Sequence, residues 1–160
     1  MKALFFPRIS QDTSSTRVST ALLLLRLIVG VAFIAHGAGK IAAPFSWMPP
    51  EAPVPGILQA LAALSEFGGG IALILGLLTP LASLGLIVTM AVAAVFHIGK
   101  GDGFVGGYEL ALVYLVASIV FLLVGPGRFS VDAKIASARK SETGDAAISR
   151  GSAPQRATSA

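Results

Sequence analysis

Four long apolar runs dominate the chain. The first extends from Val18 to about Ile41 and is broken once, by Arg26. The second extends from about Pro55 to Leu78 and carries Glu66 inside it. The third runs from Pro80 to about Ile98, and the fourth from about Phe104 to Val124, with Glu109 near its start. Each run is continuously apolar instead of alternating, so helices are expected and strands are not. At ~1.5 Å per residue, about 19–24 residues cross a ~30 Å hydrocarbon core. The pattern predicts an all-α fold: a four-helix transmembrane bundle.

The segments between the runs agree with that count. Thr79-Pro80 is a very short turn, so the second and third helices form a tight antiparallel hairpin. Residues 42–56 hold Pro44, Pro49, Pro50, Pro53 and Pro55 and cannot form a regular helix. Phe45 and Trp47 in that loop suit a membrane interface. Residues 99–107 are rich in glycine. Beyond Pro126 large apolar residues become scarce, and residues 133–160 are expected to be a disordered basic tail. This divides the chain into an N-terminal segment 1–17, a transmembrane domain 18–132 and a tail 133–160.

Basic residues set the expected orientation. Lys2, Arg8 and Arg17 precede the first helix, and Arg128, Lys134, Arg139, Lys140, Arg150 and Arg156 follow the fourth. The two long loops, 42–56 and 99–107, have one each, Lys40 and Lys100. The positive-inside rule then gives an N-in/C-in protein with both loops outside. A cleaved signal peptide is the rival reading of the first run, because the residues around Ala35–Ala38 are small. Arg26 and the long polar stretch before the run count against it.

Composition narrows the function classes. The 160 residues hold one domain, with 54% hydrophobic and 12% charged residues, against roughly 25% charged in soluble chains. Mean hydropathy is +0.81. The absence of cysteine rules out disulfides, thiolate chemistry, Fe–S clusters and covalent c-type haem. The net charge of +4 sits mainly in the tails, which points to membrane orientation and not to nucleic acid.

Charges inside the apolar runs are the candidate chemistry, because a lone charge at mid-bilayer costs about 2.5–3.5 kcal/mol and usually finds a partner. If the outer boundary falls near His36 and Ile57, Arg26 and Glu66 lie at one depth, and an Arg26–Glu66 ion pair is expected. Such a pair either locks helix one to helix two or lines a polar cavity for a head group. His36, Lys40, His97 and Glu109 form a second group at the outer rim. They suit proton exchange or substrate binding, or are ordinary interfacial residues. They lack any short ligand spacing, so no metal is expected. Gly101-x-Gly103-x-x-Gly106 matches a dinucleotide fingerprint in form only, since no strand precedes it. Gly30 and Gly37 on helix one, with Gly68, Gly69, Gly70 and Gly76 on helix two, suit close helix packing. Glu66, Gly69, Gly70 and Leu73 share one helical face.

In order, Arg26, Gly30, Gly37-x-x-Lys40, Glu66-x-Gly-Gly-Gly, Leu-Gly-Leu-Leu-Thr-Pro80, Glu109 and Gly125-Pro-Gly-Arg-Phe-Ser-Val-Asp132 resemble the DoxX family of small bacterial membrane proteins. The resemblance covers about residues 20–133 and is most specific in the last segment. It implies a four-helix protein of the bacterial inner membrane. Some relatives are linked to quinone-dependent thiosulfate oxidation, others to quinone or catechol resistance or to oxidative and thiol stress. The missing cysteine departs from any thiol-based mechanism. In physical terms Gly125 and Pro126 end helix four. Gly127 and Arg128 then reach the cytoplasmic interface, and Ser130 or Asp132 can cap a short helix over 131–140. This segment reads as a topological stop or as a docking site for a cytoplasmic partner. Two functions follow from the whole: an accessory subunit of a quinone-linked redox or stress system, with a membrane or cytoplasmic redox partner, or a non-enzymatic scaffold, assembly factor or small hydrophobic-solute carrier. A homo-oligomer suits the second.

Overall fold

The computed structural model describes residues 16–51 and 54–140. The expectations for residues 1–15 and for the tail beyond 140 fall outside this range. Among the described residues there is no strand. Helix α1 spans Thr16–Ala42, α2 Gly56–Leu75, α3 Thr79–Gly99 and α4 Glu109–Val124. A kinked turn, Phe104–Tyr108, leads into α4. Residues 131–140, where the expected tail begins, are also helical. Four helices, counting Phe104–Val124 as one, are long and apolar enough to cross a membrane, and such spans need a lipid bilayer around them.

Each helix buries a narrow stripe. On α1 the buried residues are Ser19, Leu22, Arg26, Val29, Gly30, Phe33 and Gly37, a spacing of three and four residues that follows the helical period. On α2 they include Glu66, Gly69, Gly70 and Leu73, the face the sequence marks out. Leu22, Val29, Phe33, Leu73, Leu86, Met90 and Phe121 form the shared core. Leu24, Ile28, Val95 and Leu123 point outward, as lipid-facing residues do.

The helices pack antiparallel in sequence order, α1 on α2, α2 on α3 and α3 on α4. The α1–α2 contact is the closest. A Cβ at Gly70 would lie 2.7 Å from the carbonyl oxygen of Gly30, and one at Gly37 would lie 2.6 Å from the amide nitrogen of Phe67. The two backbones touch, as small residues at membrane helix interfaces permit. At the end of α2, Gly76 adopts φ +64. Its N–H donates to Leu73 and the N–H of Leu77 donates to Ala72, the paired bonds of a glycine helix stop.

All of α1 begins, and α4 ends, at one end of the bundle, the terminal face, where the α2–α3 turn also lies. Loops 43–55 and 100–108 lie at the other, the loop face. A Gly70→Leu substitution is expected to force α1 and α2 apart and to cost about 1–3 kcal/mol. Thermal unfolding in detergent checks this, and an unchanged midpoint would contradict the close contact.

Candidate functional site

The structure separates the charges that the depth estimate placed together. Gly37 against Phe67 and Gly30 against Gly70 and Ile74 fix the register of α1 on α2. Glu66 then stands level with residues 37–38 of α1, and Arg26 stands beside Gly76. The two charges are about 11 residues of helix apart, or ~16 Å. The expected Arg26–Glu66 pair is replaced by two separate arrangements. The reason is that α1 continues to Ala42, so His36 is not the boundary the estimate assumed.

At the terminal face, Arg26 is 1% exposed. Its guanidinium donates to the carbonyls of Pro126 (2.6 Å) and Phe129 (2.7 Å). The segment 125–132 folds back under the bundle to receive it, and Gly125, Pro126, Gly127, Ser130 and Asp132 are buried. The Ser130 hydroxyl donates to the Gly127 carbonyl and accepts from the N–H of Ala133. Ser130 therefore caps the 131–140 helix, as one of the two expected candidates. Asp132 caps a different helix: its carboxylate accepts from the N–H groups of Leu78 and Thr79, both at 2.9 Å. Leu78 holds φ +49, and the α3 N-terminus has no cap from its own chain neighbours. A carboxylate there satisfies orphan donors and complements the helix dipole. Exposed Arg128 donates from its backbone to the Ser19 hydroxyl and from its guanidinium to the Thr16 hydroxyl, tying α1 to the same segment. Here the motif read as a stop or docking site is a clip that joins α1, α2, α3 and α4.

At the loop face lies a cavity of about 160 Å³ lined by all four helices. Phe33, His36 and Lys40 come from α1, Glu66 from α2, Met90, Ala93 and His97 from α3, and Leu110, Ala111 and Tyr114 from α4, with Gly107 from the preceding loop. Lys40 Nζ contacts both carboxylate oxygens of Glu66 at 2.6 Å. Lysine side chains on helices lean toward the N-terminus, so Lys40 reaches back one turn to meet Glu66. The Glu66 side chain is 3% exposed and that of Lys40 is 26% exposed. Lys40 also lies over the Trp47 ring, 4.7 Å from its centroid. Trp47 donates to the Gln59 carbonyl, and the Gln59 side chain bonds Met48 and Val54, so buried Gln59 holds the proline-rich loop in place. Phe45 is exposed.

Four expected residues therefore share one cavity: His36, Lys40, Glu66 and His97. Glu109 does not line it, and Arg26 belongs to the other end. Among the described residues no group of three His, Asp or Glu side chains is placed to hold a metal ion. Sequence reasoning missed Tyr114, whose ring packs on Phe33 at 5.0 Å and edge-on to His36 at 6.0 Å. It also missed Asp102, whose Oδ2 lies 2.7 Å from His97 Nδ1. That bond, helped by the charges of Lys100 and His97, holds the Asp102 carboxyl below its usual range against the opposing effect of burial. An acidic residue five positions after a helix-end histidine was the available signal.

Two outcomes follow for stability. Lys40→Met strands the buried Glu66 charge and is expected to cost about 3 kcal/mol, the low end for a broken buried pair because Lys40 is partly exposed. Adding Glu66→Met recovers most of that loss in a double-mutant cycle. Asp132→Ala removes the acceptor of two N–H groups and is expected to cost about 3 kcal/mol, at ~1.5–3 kcal/mol per bond to a charged group. Both are read from unfolding curves in detergent.

A DoxX family profile matches residues 21–98, a stretch that includes Arg26, His36, Lys40, Glu66 and His97. An uncharacterized protein of Haemophilus influenzae is 38% identical over 119 residues, 71% of this chain and 89% of that one. The inner membrane protein YqjF of Escherichia coli is 34% identical over 118 residues, 69% of this chain and 88% of its own. No solved structure matches the chain.

Proposed function

The chain belongs to the DoxX family, and from that premise we propose that it is a multi-pass inner-membrane subunit of a redox or stress-response system. In this reading its loop-face cavity binds the ring of a quinone or a similar aromatic. The cavity itself carries the reading. A charged, ring-sized pocket inside a membrane bundle is costly to keep, and ionisable groups there mark binding or transfer sites by default.

The donor set suits such a ring. A cavity of about 150 Å³ holds one benzene ring, and this one is about 160 Å³. Phe33, Tyr114 and Met90 supply aromatic and thioether walls. Lys40, His36 and His97 supply polar groups that can face ring oxygens. Glu66 keeps Lys40 in place and offsets its charge. A bound quinone would supply two-electron, two-proton chemistry, while the chain binds and orients it. The distribution of basic residues supports a cytoplasmic terminal face with the cavity on the far side. The cytoplasmic residues 131–140, which include Lys134, then lie where a partner protein or anionic lipid can meet them.

Trp47 is the chain's one tryptophan and touches Lys40, so its fluorescence reports on the cavity. Decylubiquinone added to the protein in lipid nanodiscs should quench it saturably. Ala93→Phe, which fills the cavity, should weaken that binding at least roughly tenfold, as loss of ~1.4 kcal/mol or more. Quenching that does not saturate, or that Ala93→Phe leaves unchanged, would remove the reading.

A further inference from the structure

His97 is placed to do more than line the cavity. Its Nδ1 is bonded to Asp102 at 2.7 Å, and among the described residues no hydrogen bond engages its Nε2. The carboxylate is not needed to close the loop, because the backbone does so already. The N–H groups of Lys100, Gly101 and Asp102 donate to the carbonyls of Phe96, Ile98 and His97. Asp102 is also held from behind. A Cβ at Gly107 would lie 2.9 Å from Asp102 Cβ, so the glycine loop fits against it. The His97 side chain is 39% exposed and that of Asp102 34%, which leaves the pair a route to solvent while His97 lines the cavity.

We propose that His97, positioned by Asp102, takes the proton of a weakly acidic ring hydroxyl, of phenol or hydroquinone type, bound in the loop-face cavity. This rests on the ligand-binding reading above. In the step the ligand O–H bond breaks and an N–H bond forms at Nε2. The imidazole becomes an imidazolium next to the Asp102 carboxylate, and the ligand becomes an oxyanion that shares the cavity with the Lys40 ammonium. The proton then leaves to solvent at the exposed rim. A carboxylate on one ring nitrogen fixes the tautomer and supports the charged ring, the usual arrangement for a histidine base. The other titratable groups around the ring are accounted for. Lys100 Nζ is 4.0 Å from Asp102 Oδ2, Lys40 and Glu66 neutralise each other, and His36 and Tyr114 come from α1 and α4. Asp102 is a positioning residue in this scheme, since it acts through His97 and does not line the cavity.

Two measurements on the full chain in nanodiscs test the proposal. The chain has two histidines, so ¹⁵N-histidine NMR with His36→Gln assigns both. Neutral His97 should carry its proton on Nδ1, and Asp102→Ala should abolish that signal. A native His97 protonated on Nε2 would overturn the positioning. The second probe is 4-nitrophenol, whose ionised form is seen by absorbance. About one pH unit below its own midpoint, the bound probe should be roughly fivefold more ionised than the free one. His97→Asn, which keeps an amide donor for Asp102 but cannot take a proton, should return it to the free value. Binding with unchanged ionisation overturns this proposal alone. No saturable binding of either 4-nitrophenol or decylubiquinone overturns the cavity reading with it.

Discussion

Gly30, Gly37 and Gly70 leave no room for side chains between α1 and α2, so the two backbones meet. In a bilayer, where lipid is as apolar as leucine, close backbone contact is a main source of helix association. Here it also sets the register that everything else depends on. Sliding α1 by one turn against α2 would move Lys40 away from Glu66 and Arg26 away from the segment that accepts its guanidinium. Two costly charges would then be left in hydrocarbon.

The two ends of the bundle solve the burial of charge in different ways. At the terminal face two Arg26 nitrogens, Nη1 and Nη2, donate to carbonyls and the Asp132 oxygens accept from N–H groups, so backbone supplies the partners of both charges. The segment 125–132 closes the bundle there. At the loop face Lys40 and Glu66 satisfy one another beside an open cavity, and two histidines and a tyrosine stand around it. One charged end is a fastening and the other carries the proposed binding cavity. Basic and acidic side chains therefore carry unlike roles at the two ends, and the local packing assigns them.

The proline-rich loop belongs to this division. Gln59 gathers its backbone, and Trp47 is laid against Lys40. A cation over an indole face is stabilised when partly desolvated, so the loop supports the Lys40–Glu66 pair from outside. The glycine-rich loop holds His97 on the opposite rim through Asp102.

Hydrophobic length and continuity alone were enough for the four spans, because a helix that must satisfy its own backbone in lipid leaves few alternatives. Local chemistry was also legible: proline and glycine marked the turns, Ser130 was a recognisable cap, and Glu66 was visibly on the glycine face of α2. Partners were not. Whether Arg26 meets Glu66 or a carbonyl a hundred residues later depends on how α1 slides against α2, and that is settled by contacts between glycines and Phe67 that no single-helix pattern contains. Asp132 looked like a cap for the helix it opens and instead caps α3, since the folded-back segment brings it to donors distant in sequence. Asp102 lies in a glycine-rich loop whose sequence assigns it no partner, and only the closing of that loop on the end of α3 brings it to His97. Periodicity is a property of one helix, whereas the site is made from four, so its membership was decided by packing.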